Sequence, residues 1–394
     1  MEILTDTYRE MQELTPSGAD DISTNQFGTV VGMVDKTMAI GAPGLDNSGG
    51  AVFIFEKTGA TFEQSYKLVS SDRAANSRFG EEVAIKDGFI AARGKTADGK
   101  SAVYYFKKNP NDTWPSTETH KLVPNTGDDT TTNLFGSIID TDLSSIVVGA
   151  PGANSVYVFD ENNMGTSNLT IEYKYHDDDN GNDFGKTVAV FDDEIIVSKN
   201  NKLFHYKKDM DTTWATVVKT ELDASGANAN LTDRFGDSVA MDASSIVVGA
   251  PGLNNGKGAV FVYEMSGNEY VQKYKLQGSS ANTAKNAMIG KQVALYGDEI
   301  VTNSIGFGTK MALIDLTTTE TKPEERHGHT SVLYNDKMIV FGGNKVNTFG
   351  GLSAWGYSDA NVSGAPIDSG YVNIVSTVNA FTGLKSDGSV KKWG

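Results

Sequence analysis

The stretch "HDDDNGND", His176 to Asp183, is the best acidic cluster in the chain. Asp177, Asp179 and Asp183 could donate oxygens to calcium, a hard cation that takes about six to eight of them, and Gly181 would permit the turn that brings them together. The same residues also make an ordinary solvated acidic turn. The overlapping "NGNDFGKT" imitates a phosphate-binding loop, but Gly181 lies one residue too close to Gly185-Lys186-Thr187 and no helix is predicted to follow. His327 and His329 share one face of a predicted strand, a spacing that can suit zinc or copper. His120, His176 and His205 are scattered, and no Ser-His-Asp set or carboxylate pair stands out. The expectation is a protein that is not an enzyme, with calcium the one cofactor its residues suggest.

Elements must hold such groups, and bulk properties limit what those elements are. The chain has 394 residues, 39% of them hydrophobic, with 42 glycines and 9 prolines, a folded and turn-rich composition. Its net charge of −16 opposes binding to a phosphate backbone, so nucleic acid is not an expected partner. With no cysteine there is no disulfide framework, thiolate metal site or cysteine nucleophile. The start "MEILTDTYREMQELTP" reads as neither a leader nor a membrane anchor, and no later run is apolar enough to span a bilayer.

Self-similarity then organises the chain. "SSIVVGAPG" occurs at Ser144 to Gly152 and again at Ser244 to Gly252. A Phe-Gly pair opens units at Phe27, Phe79, Phe135, Phe184 and Phe235, with Ile289-Gly290 as a degenerate sixth, in steps of about fifty residues. Each pair is followed by a short apolar alternation, a run ending at or near "GAP", an aromatic strand such as "GAVFIFEK" and a polar-aromatic one such as "TFEQSYKLVSSD". Four short strands with Gly, Asn and Asp at the turns, repeated without helical periodicity, predict the blades of a β-propeller. Trp114 and Trp214 fall at matching outer-strand positions, where packing is expected rather than a ligand platform.

Over roughly residues 15 to 320 these motifs resemble the FG-GAP repeat of integrin α-subunits and related surface proteins. "RHGHTSVLYNDKMIVFGG", Arg326 to Gly343, is similar to a kelch repeat, which implies structural hydrogen bonds for His327 and His329. The tail, with Trp355-Gly356 and Trp393-Gly394, resembles a regulator-of-chromosome-condensation-type repeat. The expected fold is all-β: a seven-bladed propeller over 1–356, with blades starting near 27, 79, 135, 184, 235 and 289 and a kelch-like blade at 326–356. Residues 8–14 read as the outer strand that completes this last blade and closes the ring. The repeat at 357–394 is appended, joins the closing blade, or supplies an eighth blade.

Integrin-like blades hold calcium in a D-x-D-x-D-G-x-x-D loop between their first two strands. The corresponding links here, "MVDKTM", "DTDLSS", "VFDDEI" and "MDASS", are too short for that. Asn111, Asn168, Asn230 and Asn361 begin glycosylation sequons, which matter only on a eukaryotic secretory route. The resemblance implies recognition or adhesion: a propeller binding a protein or glycan at a cell or particle surface, extracellular, without membrane insertion. The alternative is a structural subunit bound to its neighbours in an assembly such as a virion or appendage, and the third is an enzyme with a site in the central channel.

Overall fold

The computed structural model describes residues 12, 14–17, 25–59, 61–124, 132–142, 144–160, 171–177, 183–208, 213–222, 231–277, 288–296, 299–304, 310–315, 330–334, 337–341, 345–349, 352–355, 371–377, 380–385 and 390–393. The chain is all-β and mostly antiparallel; among the described residues the helical pieces are single turns, and no helix is long and apolar enough to cross a membrane. It divides into two compact units, Met1–Phe341 and Gly342–Gly394.

The first unit is a succession of sheets, each a meander in chain order. Sheet 1 holds β1 Val31–Val34, β2 Thr37–Ala42, β3 Ala51–Thr58 and β4 Thr61–Leu68. Sheet 2 holds β5 Val83–Lys86, β6 Phe89–Lys95, β7 Ser101–Lys107 and β8 His120–Leu122. Sheet 3 holds β9 Ile138–Thr141, β10 Ser145–Ala150, β11 Ser155–Asp160 and β12 Ile171–His176. Sheet 4 holds β13 Val188–Phe191, β14 Glu194–Lys199, β15 Lys202–Lys207 and β16 Val218–Leu222. Sheet 5 holds β17 Ser238–Met241, β18 Ser245–Ala250, β19 Ala259–Ser266 and β20 Glu269–Leu276. Three strands follow in sheet 6, β21 Val293–Tyr296, β22 Glu299–Ser304 and β23 Lys310–Asp315, and then the hairpin of β24 Thr330–Tyr334 and β25 Lys337–Phe341. In the second unit β26 Lys345–Phe349 pairs with β27 Leu352–Trp355, and β28 Tyr371–Thr377, β29 Ala380–Lys385 and β30 Val390–Trp393 form a three-stranded sheet.

The Phe-Gly signature has a physical basis in this arrangement. Phe79, Phe135, Phe184 and Phe235 are buried, and Phe79, Phe135 and Phe235 meet an aromatic ring of the third strand edge-on, as in the Phe135–Tyr157 pair at 5.2 Å. The glycine that follows has φ near +80° to +87°, a conformation that penalises any side chain. It donates its N–H across the sheet to the "GAP" glycine or its replacement: Gly136 to Gly149 O at 3.0 Å, Gly236 to Gly249 O at 2.9 Å, Gly80 to Arg93 O at 2.8 Å. The second strands β10 and β18 are buried along their whole length because they face a neighbouring sheet on each side. The two serines before "IVVGAPG" belong to the preceding turn, where Asp142 Oδ1 accepts from the N–H of Ser144 and Ser145, and Asp242 repeats both bonds with Ser244 and Ser245.

The core is divided into slabs, one in each seam between consecutive sheets 1 to 6. First strands approach each other in order, β1 with β5, β5 with β9, β9 with β13, β13 with β17, and β17 with β21; β24 approaches both β21 and β1. Residues 8–11 and 13 of the expected closing strand lie outside the described residues. Gln12 exchanges two side-chain hydrogen bonds with the backbone of Phe62 on β4, at 2.6 and 2.7 Å, and Leu14 packs on sheet 1.

Candidate functional site

Two clefts of about 320 Å³ open at the end of the first unit where the β1–β2, β5–β6 and β13–β14 turns lie. The first, between sheets 1 and 2, is lined by Asp35, Lys36, Lys57, Lys86, Asp87 and Trp114 among others. At its centre Lys108 Nζ sits 3.3 Å from Glu56 and 2.8 Å from Asp112, and 5.4 Å from the centre of the Trp114 ring. The second, between sheets 4 and 5, is built around Glu194, which accepts from Lys207 at 2.6 Å and Tyr270 OH at 2.9 Å and lies 3.1 Å from His205 Nε2. Burial alone would raise the Glu194 carboxyl, but the hydrogen bonds from His205, Lys207 and Tyr270 outweigh it and hold it at about 2. Lys208 repeats the role of Lys108, 3.1 Å from Asp193 and 5.1 Å from the centre of the Trp214 ring.

At the inner end of the seam between sheets 2 and 3 lies a different cluster. Burial raises Glu82 to about 8, opposed by Arg93 and reinforced by the Glu81 and Asp140 carboxylates. Asp140 on β9 is raised by burial to about 6, although its oxygens accept from Val190 N–H at 2.8 Å and Thr141 N–H at 2.9 Å. Arg93 pairs with Glu81 at 3.1 Å. At the same end of the strands, Asp237 is 6% exposed and faces Lys186 Nζ at 2.9 Å, Lys291 Nζ at 3.9 Å and the Arg234 guanidinium.

The residues singled out by sequence fare unevenly. Asp177 gives its carboxylate to Lys199 Nζ at 2.6 Å, with Lys219 Nζ at 4.0 Å, so a calcium ion would have to displace two ammonium groups there. Asp183 is exposed with φ at 54°, Asp179 lies outside the described residues, and no group of three metal-ligating side chains occurs among the described residues. Lys186 and Thr187 of the phosphate-loop lookalike serve the seams instead, Thr187 Oγ1 donating to Gly236 O at 2.7 Å. Trp114 and Trp214 are 5% and 0% exposed and pack in the seams between sheets 1 and 2 and sheets 3 and 4. Asn111 accepts from the Thr113 hydroxyl at 2.7 Å, within its own turn. His327, His329, Asn168, Asn230 and Asn361 lie outside the described residues. Sequence reasoning missed Glu82, Asp140 and Asp237. Stacking the repeats on Phe-Gly would have exposed two of them, because Glu82 stands where Thr187 and Ser238 carry hydroxyls, and Asp237 stands between lysines of the neighbouring units.

The FG-GAP repeat family matches residues 219–263. No curated protein matches the sequence. Among solved structures, a protein of Bacteroides uniformis described as a candidate 6-phosphogluconolactonase is similar at 12% identity over 91% of this chain and 92% of its own, with a TM-score of 0.46. Saccharomyces cerevisiae Sqt1 is similar at 11% identity over 82% of this chain and 95% of its own, with a TM-score of 0.47. Neither likeness bears on this chain's chemistry. What is established is local: the chain carries an FG-GAP repeat in the stretch that contains Phe235-Gly236 and Gly249-Ala250-Pro251.

Proposed function

We propose that the first unit is a seven-bladed, integrin-like FG-GAP propeller that acts as a non-enzymatic recognition module, binding a protein or glycan at a cell or particle surface outside the cell. Seven blades are supported by the order of first strands, in which β24 stands next to both β21 and β1. Closure by the N-terminal segment is supported by a repeated hydrogen bond. Ser71 N–H donates to Glu118 Oε2 at 2.9 Å, and Ser17 N–H, 54 residues earlier, donates to Gln64 Oε1 at 2.7 Å, with Gln64 also 54 residues before Glu118. Leu14 packs on sheet 1 as Leu68 packs on sheet 2. Residues 12–17 thus stand to sheet 1 as the end of one blade stands to the next.

Recognition is carried by one observation: two clefts open beside equivalent strand-to-strand turns and carry different charges, Lys108 held between Glu56 and Asp112 beside Trp114 in one and Glu194 held by Lys207, His205 and Tyr270 in the other. A constant frame with variable solvent-facing chemistry suits binding. Glycan and surface-protein arrays probed with the folded chain, in calcium and in chelator, test it. Binding weakened by Lys36→Glu, an exposed change in the first cleft, is expected; no binding in either condition removes the reading. An enzyme is the second reading and rests on Glu82, a carboxyl held protonated to about pH 8 beside Arg93 and Asp140. Turnover of any array ligand that is abolished in Glu82→Gln would favour it.

A further inference from the structure

We propose that Lys186, Arg234 and Lys291 form a binding site for a doubly charged tetrahedral oxyanion, sulfate or a phosphate monoester. The site narrows the recognition reading and rests on it only for biological use. Lys186, Asp237 and Lys291 each follow a Phe-Gly or Ile-Gly pair, so they occupy one position in three consecutive sheets, and Arg234 reaches the same point from three residues before Asp237. Their common partner is a single carboxylate, 6% exposed, with Lys186 at 2.9 Å on Oδ1 and Arg234 and Lys291, the latter at 3.9 Å, on Oδ2. Among the described residues each of the three cations pairs with Asp237 alone.

Three positive charges against one negative leave a net of two, in a chain whose overall charge is −16. The carboxylate is shut away, whereas the cation side chains are 35–47% exposed, with Arg234 at the lower figure and Lys186 at the higher. Ammonium and guanidinium groups this close repel one another, and a solvent-borne dianion relieves the repulsion while accepting charge-assisted hydrogen bonds from all three. Asp237 fixes the heads in place from below and neutralises one of them, so the charge it leaves matches a dianion better than a monoanion.

The test is thermal melting of the full chain in about 10 mM sodium sulfate against sodium chloride at matched ionic strength. For millimolar affinity the sulfate-specific gain should be about 2 °C. It should vanish in the Lys186→Gln, Lys291→Gln double variant, whose side chains are 47% and 38% exposed, and grow in Asp237→Asn, which removes the competing carboxylate. Phenyl phosphate with phenol as control separates an ester-borne dianion from the free ion. An equal sulfate gain in wild type and double variant overturns the site, as does a chloride gain as large as the sulfate one. A selective sulfate gain with empty arrays supports the site and removes the recognition reading; arrays that bind equally to the double variant, with no sulfate gain, do the reverse.

Discussion

The seams between sheets are of two kinds, and they alternate. After sheets 1, 3 and 5 the "GAP" glycine presses on the next sheet: a Cβ on Gly41, Gly149 or Gly249 would lie 2.1, 2.2 or 1.9 Å from the carbonyl oxygen of Gly80, Gly185 or Gly290. After sheets 2 and 4 the same position is Arg93 or Ser198, and in sheet 6 it is Asn303. A Cβ on Gly136 would meet Arg93 Cγ at 3.1 Å, and one on Gly236 would meet Ser198 Cβ at 3.2 Å, so side chains space these seams. The buried tryptophans sit in glycine seams and the perturbed Glu82 carboxyl in a spaced one, while Asp140 of sheet 3 reaches the Val190 N–H of sheet 4 across a glycine seam. Backbone meets backbone at the glycine position of one class, whereas a side chain fills that position in the other.

Variants that strike one class of seam sharpen this contrast. The largest effect expected is from Trp214→Ala, which empties a fully buried site between sheets 3 and 4 and should cost about 3–5 kcal/mol in a denaturant titration. Gly149→Ala comes next, at about 1–3 kcal/mol, because the new methyl meets backbone oxygen that cannot step aside. Its control is Ser198→Ala in a spaced seam, which loses the hydrogen bond from Thr187 N–H at 2.9 Å and should cost about 1 kcal/mol. Equal losses for Gly149→Ala and Ser198→Ala would erase the distinction between the seams.

A further effect is a pH dependence tied to Glu82, which faces the seam between sheets 2 and 3. Glu82 has a folded pKa raised to about 8 from an ordinary 4.5, so the unfolded chain releases the proton first as pH rises. The stability linked to this group is complete below about pH 4.5 and is lost progressively as pH climbs through about 8. Glu82→Gln should therefore raise the melting temperature at pH 8.5 by about 2–5 °C, and change little near pH 5. A wild-type and variant difference that does not vary with pH would show that Glu82 is not a buried acid.

The Phe-Gly columns, the strand order within sheets and the turn positions were legible because each depends on contacts within one repeat of about fifty residues. Phe135 meets Tyr157 and Gly136 meets Gly149 inside a single unit, so the pattern recurs as text. The candidate sites were not legible, because they join different units: Glu194 and Tyr270 are 76 residues apart, and Lys186 and Asp237 are 51. The partner of Asp177 was hidden for the same reason, since Lys199 lies across a sheet boundary and nothing local announces it. The unit that was read as a single blade also hides a longer period, visible only when Gly41, Gly149 and Gly249 are set against Arg93, Ser198 and Asn303.

That longer period has a consequence of parity. Two-sheet units tile any ring with an even number of members, but the ring proposed above has seven, an odd number, so strict alternation around it must fail once. In that ring the failure has one natural location, the junction where β24 meets β1. There either two like seams stand side by side or one seam belongs to neither class. A ring of this kind carries a single defect by arithmetic alone, as a circle of alternating spins does when its number is odd, and the defect marks one sheet boundary as different from all the rest.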